Sequence, residues 1–375
     1  MRAGRARAAG TSGRGAPPRA GDSGSRPPLP AGRACLTQGP RPPVRRRGGT
    51  VMKALLCKTL GGPEDLVIAD LPDPVPGPGE VRVRVTVAAL NFFDTLIIAG
   101  RYQVKPDLPF SPGAEAAGIV EAIGPGVEGL RVGERVIAHL GHGTCRETIL
   151  ARREALSPIP DGVGDEQAAG LTVTYGTSLH ALQDRAALRA GETLVVLGAS
   201  GGVGLAAVEL GHAMGARVIA CASSADKLEA ARAHGADLVL DYSEENLREG
   251  LRRLGGAAGI DVVYDPVGGD FSEPALRSLN WKGRFLVIGF AAGPIPKIPL
   301  NLVLLKGIDV QGVHWGAFVR NEPEAHARNQ ARLLALVAEG RLTAKVHGVY
   351  PLERAAEALG VLSRREAVGK VLLRP

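Results

Sequence analysis

The sequence predicts an α/β protein in which a doubly wound parallel sheet is inserted into a second, β-rich domain. Three observations carry that reading. The chain has 375 residues, more than one compact domain at roughly 100–200 residues each. Residues 193–290 alternate apolar strands with helical segments, the spacing of parallel βαβ units. Before 160 the chain shows short strands broken by Gly and Pro, and a last strand, GKVLLRP, closes it at 369–375. Hydrophobic residues make up 45%, enough for a sizeable core, and no window approaches the ~18 uninterrupted apolar residues of a membrane span. Four scattered cysteines (Cys35, Cys57, Cys145, Cys221) give no disulfide framework and point to a reducing, cytoplasmic location.

Residues 1–51 stand apart. They hold eleven Arg, no Lys and one acid, Asp22, so they carry +10, while the whole chain carries +7 and residues 52–375 carry −3. Ten Gly, eight Pro and no aromatic residue leave nothing to offset ordering entropy, so a disordered basic leader is expected. A transit peptide would share the Arg-rich, acid-poor composition, but the repeated prolines break an amphipathic helix. A nucleic-acid-binding arm through Arg45–Arg47 is a second reading. The third is favoured because Met52 opens the strand-like KALLCK directly: a leader ahead of a natural start at Met52. With the positive charge confined to the leader, no nucleic-acid partner is expected for the remainder.

After Met52 the connector PDPVPGPGE leads into VRVRVTVAAL (81–90), where Val alternates with Arg as in a half-buried strand. GIVEAIG (118–124) and RVGERVIAHL (131–140) are further strands. QAAGLTVTYGTSLHALQDRAAL (167–188) reads as helix with a Thr-rich break at 172–178. Strands follow at TLVVLG (193–198), RVIACA (217–222), DLVLDY (237–242), IDVVYDPVG (260–268) and GRFLVIGF (283–290). Helices lie between them, and one more is expected at 323–340. The expected domains are 52–172 joined with 311–375, enclosing 173–310.

VVLGASGGVGLAAVEL (195–210) carries the most information. A buried strand ends at Gly198, small residues crowd the turn, and an apolar helix opens near Val203. Such a turn lets a pyrophosphate approach Ser200, Gly201, Gly202, Val203 and Gly204 and sit on the N–H groups of the helix start. The fit to GxGxxG has Ala199 in place of the first Gly, and an ordinary tight βα turn is the alternative. At the end of the next strand, where NAD sites place an acid, stands Ala222, followed by Ser223, Ser224 and Lys227. The missing carboxylate removes repulsion against a 2′-phosphate, so NADPH is expected over NADH. A solvated first-turn helix residue is the plainer reading of Lys227. Tyr242 is expected beside the adenine, and Phe290, ending GRFLVIGF, is counted with the coenzyme residues.

With ALNFFDTLIIAGRY (89–102), PGAEAAGIVEAIG (112–124), GLTVTYGTSLHAL (170–182), GASGGVG (198–204) and VVYDPVGG (262–269) in order, the chain from Met52 to Pro375 resembles the zinc-independent quinone oxidoreductases of the medium-chain dehydrogenase/reductase superfamily. The resemblance implies a GroES-like substrate domain, an inserted Rossmann domain, an active site in the cleft between them, and a homodimer or homotetramer. It places Asn91 and Thr172 at the nicotinamide end, Asp94 as a holder of that loop, Tyr102 as a phenol donor near the acceptor, and Lys370 near the pyrophosphate. A polar brace is the plainer reading of Asn91 and Asp94, and an exposed strand lysine that of Lys370. The family's DTY motif reads DTL here, with Leu96 in the tyrosine's place.

Where zinc-dependent relatives have a Cys and a His, this chain has Asn91 and Ala114, neither a zinc ligand, so no metal is expected. His139, His142 and Cys145 in HLGHGTC lack a fourth ligand and read as a polar loop. Without a Lewis acid the acceptor is expected to be activated by conjugation, a quinone or an enone, with the cofactor supplying the hydride. A 2-alkenal or enoyl reductase is the alternative enzyme, and an NADPH-binding redox sensor or RNA-binding protein the alternative class. His314 and Trp315 line either the cleft or a subunit contact.

Overall fold

The computed structural model describes residues 51–375. The expectations for the leader, including Arg45–Arg47 and Cys35, fall outside the described residues. Val51, counted with the leader, opens the first strand and pairs with Pro72.

The first part of the chain holds β1 (Val51–Leu56), β2 (Val67–Pro72), β3 (Glu80–Leu90), α1 (Phe92–Ile98), β4 (Glu115–Ile123), β5 (Arg135–His139), β6 (Thr148–Arg152) and β7 (Leu156–Pro158). In β3 the valines 81, 83, 85 and 87 point into the core, while Arg82 and Arg84 reach outward to Glu121. Burying each valine contributes about 1.5–3 kcal/mol, and a one-residue slip would expose all four. That fixes the register.

Two helices then cross to the second sheet: α2 (Asp165–Ala169) and α3 (Thr172–Leu179), continued by a π-helical turn over 180–185. The expected break at 172–178 is corrected here. The interruption falls at Gly170–Leu171, and the Thr-rich stretch is itself helix. Its hydroxyls fold back onto the helix: Thr174 Oγ1 donates to Gly170 O at 2.9 Å, and Ser178 Oγ to Thr174 O at 2.9 Å. Every residue of α3 is buried, so tertiary packing overrides propensity.

The parallel sheet alternates β8 (Thr193–Leu197), α4 (Gly202–Ala213), β9 (Arg217–Ala222), α5 (Ala225–Ala233), β10 (Leu238–Asp241), α6 (Leu247–Gly255), β11 (Val262–Asp265), α7 (Ser272–Ser278), β12 (Arg284–Val287), α8 (Leu300–Lys306) and β13 (Asp309–Gly312). Its order is β10-β9-β8-β11-β12-β13. The order reverses between β8 and β11, so the crevice where doubly wound sheets bind ligands opens at the carboxyl end of β8.

The chain returns through α9 (Trp315–Asn321), α10 (Pro323–Ala338), β14 (Val346–Pro351), α11 (Ala355–Ser363) and β15 (Lys370–Arg374). The seven-stranded sheet runs β14-β15-β3-β4-β5-β7, with β6 on β3. β15 lies antiparallel to the end of β3, Val371 opposite Leu90. Just before it, Gly369 N–H donates to Ser200 O at 3.0 Å, so the last strand ties the phosphate turn to the antiparallel sheet. Among the described residues, no helix is long and apolar enough to cross a membrane.

Candidate active site

Where β3 gives way to α1, Asn91 is the N-cap, with its N–H donating to Asp94 Oδ2 at 2.7 Å. The other Asp94 oxygen accepts from Gly113 N–H at 3.1 Å. Asp94 is wholly buried, which pushes its carboxyl up to about 7, although the two N–H bonds and Lys370 pull it back.

Glu115, at the start of β4, is the hub. Its Oε1 accepts from Asn91 Nδ2 at 3.0 Å, and its Oε2 from Val173 N–H at 2.8 Å. Lys370 Nζ donates to Glu115 Oε1 at 2.9 Å, Asn91 Oδ1 at 2.7 Å and Leu90 O at 3.1 Å. The pair is 3% and 0% exposed, so the exposed strand lysine is corrected. Every donor of the ammonium is used. Its stem passes Gly202 of the phosphate turn, whereas its charge is spent on Asn91 and Glu115. Thr172 opens α3 beside this hub, and its Oγ1 accepts from Gln330 Nε2 at 3.1 Å.

The phosphate turn follows β8. A Cβ at Gly204 would lie 2.2 Å from Gly198 O, so only glycine fits there, whereas one at Gly201 would find 3.6 Å. The first-turn N–H groups of α4, on Gly202, Val203 and Gly204, have no intrahelical acceptor. Ser200 is buried beneath the turn. Such a turn has the room and the free N–H groups to take a pyrophosphate.

At the end of β9, Lys227 Nζ donates to Ser223 Oγ at 3.4 Å and to Arg365 O at 3.0 Å. Ser224 is the N-cap of α5. Arg365 comes from the turn before β15 and anchors one nitrogen on Ala291 O at 2.7 Å. Burial raises the Tyr242 phenol, while Ser223 and Arg365 nearby oppose the rise. Tyr242 and Phe271, 4.7 Å apart, wall a cavity of about 680 Å³. Phe290 stands over Gly268, 39% exposed. The Lys227 ammonium, the Ser223 hydroxyl and the Arg365 carbonyl thus meet where Ala222 leaves no carboxylate.

In front of Asn91, Ala114, Val173, Trp315 and Phe318 form an apolar cluster that Phe93 joins. Tyr102 stacks on Phe93 at 5.5 Å, and burial raises its phenol. Trp315 rests on Gly176, so it belongs to this cleft, while His314 is exposed. His139 and His326 flank the indole at 5.0 and 5.6 Å.

The signature of the zinc-binding dehydrogenases matches residues 202–331, and that of the alcohol dehydrogenase GroES-like domain matches 77–182. The residues do not fit a zinc ion. Asn91 is engaged by Lys370 and Glu115, Ala114 carries no donor, and no group of three His, Cys, Asp or Glu converges among the described residues. Of HLGHGTC, His139 lies on Trp315, His142 meets the edge of Phe110, and Cys145 is buried with its thiol raised.

Bovine quinone oxidoreductase-like protein 2 is 38% identical over 87% of this chain and 93% of its own. The Pseudomonas aeruginosa quinone oxidoreductase is 36% identical over 86% and 99%. The chain belongs to the quinone oxidoreductase family. This places it in the medium-chain dehydrogenase/reductase superfamily. The Escherichia coli quinone oxidoreductase, solved as a complex with NADPH, superposes with a TM-score of 0.80 at 30% identity, over 86% of this chain and all of that one.

Against that family frame, the sequence reading missed Glu115, Arg365 and Gln330. A lone acid in the apolar run EAAGIV was a readable signal for Glu115. Nothing local marked Arg365, which reaches the coenzyme end only through the return of the chain.

Proposed function

We propose that this protein transfers a hydride from NADPH to a quinone without a metal. Residues 52–172 and 311–375 form the substrate domain, except that Gln311 and Gly312 complete β13 of the parallel sheet, and 173–310 hold the coenzyme. One contrast supports the reading: a glycine turn able to take a dinucleotide, with the Lys227 ammonium at the end of the next strand, and no metal-ligating set beside Asn91 among the described residues. The NADPH complex of the Escherichia coli quinone oxidoreductase supports the coenzyme.

When bound, NADPH supplies the hydride. The α4 N-terminus receives the pyrophosphate, and Ser223, Lys227 and Arg365 bind the 2′-phosphate. Asn91 and Thr172, fixed by Glu115 and Gln330, orient the nicotinamide end. A quinone needs no Lewis acid, because conjugation delocalises the added charge onto its oxygens.

One further surface supports a homodimer. α8 exposes Leu300, Leu304 and Leu305 (79, 79 and 70%) beside the edge strand β13, an apolar face that a second copy would cover. The buried, unpaired Cys57, Cys145 and Cys221 support a cytoplasmic location.

The test follows NADPH absorbance with 1,4-benzoquinone, 9,10-phenanthrenequinone and a 2-alkenal, on protein sized by light scattering. Quinone turnover that survives chelation, on a particle of twice the chain mass, is expected. Turnover of the alkenal alone would make it an enoyl-type reductase. Tight NADPH binding with no turnover would make it a sensor.

A further inference from the structure

The hub ties up most of the polar groups beside the cleft. Asn91 Oδ1 accepts from Lys370, one of the two Asn91 amide hydrogens goes to Glu115, and the Lys370 ammonium has no hydrogen left to offer. Yet hydride addition places charge on an acceptor oxygen, and a buried oxyanion needs donors aimed at it.

Two imidazoles stand beside the hub with N–H groups of their own to offer. His139 ends β5 directly opposite Glu115 of β4 and next to the Leu140–Ala114 bond, so its ring neighbours both the hub and the small Ala114. His326, in the first turns of α10, reaches the same place from a part of the chain 187 positions later. Both rings pack on Trp315, at 5.0 and 5.6 Å. Neither ring nitrogen has a hydrogen-bond partner among the described residues. His180 and His234 differ in this respect: the first is held by Asp184 at 2.9 Å, the second by Ala230 O at 2.6 Å. Burial keeps both cleft imidazoles neutral, His326 down to about 4 with His139 adding to the fall, and Glu115 offsets only part of the effect on His139. A neutral imidazole has one N–H, and no protein acceptor commits its tautomer here.

We propose that His139 and His326 are the acceptor-binding pair, their N–H groups hydrogen-bonding the carbonyl oxygens of the quinone held against Trp315. This rests on the reading of the protein as a quinone reductase. NADPH, when bound, would supply the hydride: as its C–H bond breaks, the hydrogen and its electron pair would form a new bond to the quinone, and a π electron pair of the quinone would move onto a carbonyl oxygen. Water supplies the proton that completes the hydroquinone, and each imidazole keeps its own proton. The two rings take the polarising role that a metal has in zinc-dependent relatives, in front of the alanine that replaces a ligand.

His139→Phe and His326→Phe keep an aromatic ring on Trp315 and remove the N–H. Each should lower kcat/KM for phenanthrenequinone about 100–1000-fold, as for one lost oxyanion donor. Melting temperature and the NADPH Kd, read from coenzyme fluorescence, should stay unchanged. His139→Gln, which restores an N–H donor, should recover part of the loss. Tyr102→Phe should cost less than either histidine variant. Full activity in both phenylalanine variants, with an active parent, would overturn the assignment and leave the reductase intact. An inert parent would overturn the reductase reading and this pair with it. Should phenylalanine lower the melting temperature, His139→Leu and His326→Leu repeat the measurement, and the same two outcomes decide.

Discussion

The two ends of the cleft proposed to hold the coenzyme are built on opposite electrostatic plans. At the nicotinamide end Asn91, Asp94, Glu115 and Lys370 are almost wholly buried, and the ammonium–carboxylate pair is satisfied on every side. At the end proposed for the adenosine, Ser223 and Arg365 are exposed, and Lys227 hydrogen-bonds a hydroxyl and a carbonyl but no carboxylate. A buried charge costs several kcal/mol unless fully paired, so the inner end is fixed before any ligand arrives. Cations at the surface cost little to leave without a carboxylate, so the outer end can receive an anion. Rigidity sits at the chemistry, and spare charge at the place of recognition.

Breaking the inner end should have the largest effect. Lys370→Met strands Glu115 without its cation and should cost roughly 3–5 kcal/mol in denaturant unfolding. Adding Glu115→Gln should return part of that. A loss below about 1 kcal/mol, the value of a surface pair, would erase the distinction between the two ends.

Asp94 sharpens the same comparison through pH. Its carboxyl is raised in the folded state to about 7, so the unfolded chain releases this proton first. The stability it contributes is complete below the ordinary carboxylate range and is lost as pH rises through about 7. The gap in melting temperature between the parent and Asp94→Asn should therefore shrink from pH 4 to 7.5. A flat gap would mean that the carboxylate is ionised throughout.

The outer end should respond least in stability and most selectively in binding. Lys227→Ala and Arg365→Ala should each raise KM for NADPH about tenfold, near 1.4 kcal/mol, and leave that for NADH within twofold. Added salt should narrow the difference. Equal effects on both coenzymes would refute the 2′-phosphate role.

Local patterns were legible where one face or one turn dictates the residue. The Val–Arg alternation of β3 and the glycines of the phosphate turn are of this kind, since each answers to neighbours within a few residues. The helix α3 was not, because its threonines satisfy themselves within a buried environment that sequence does not display. Arg365 was not either. It stands 138 positions from Lys227, and only the return of the chain brings its carbonyl to that ammonium.

The sequence by itself determined the doubly wound sheet, the place of the phosphate turn and the absence of a carboxylate at Ala222. Periodicity and turn chemistry are local properties. The tertiary structure decided how the charges pair: that Lys370 faces Glu115 rather than solvent, that Asn91 bridges the two through its amide, and that His139 and His326 share one indole. Such pairings depend on strands and helices far apart in the chain, and the need to neutralise a buried charge selects among them only after the fold has brought them together.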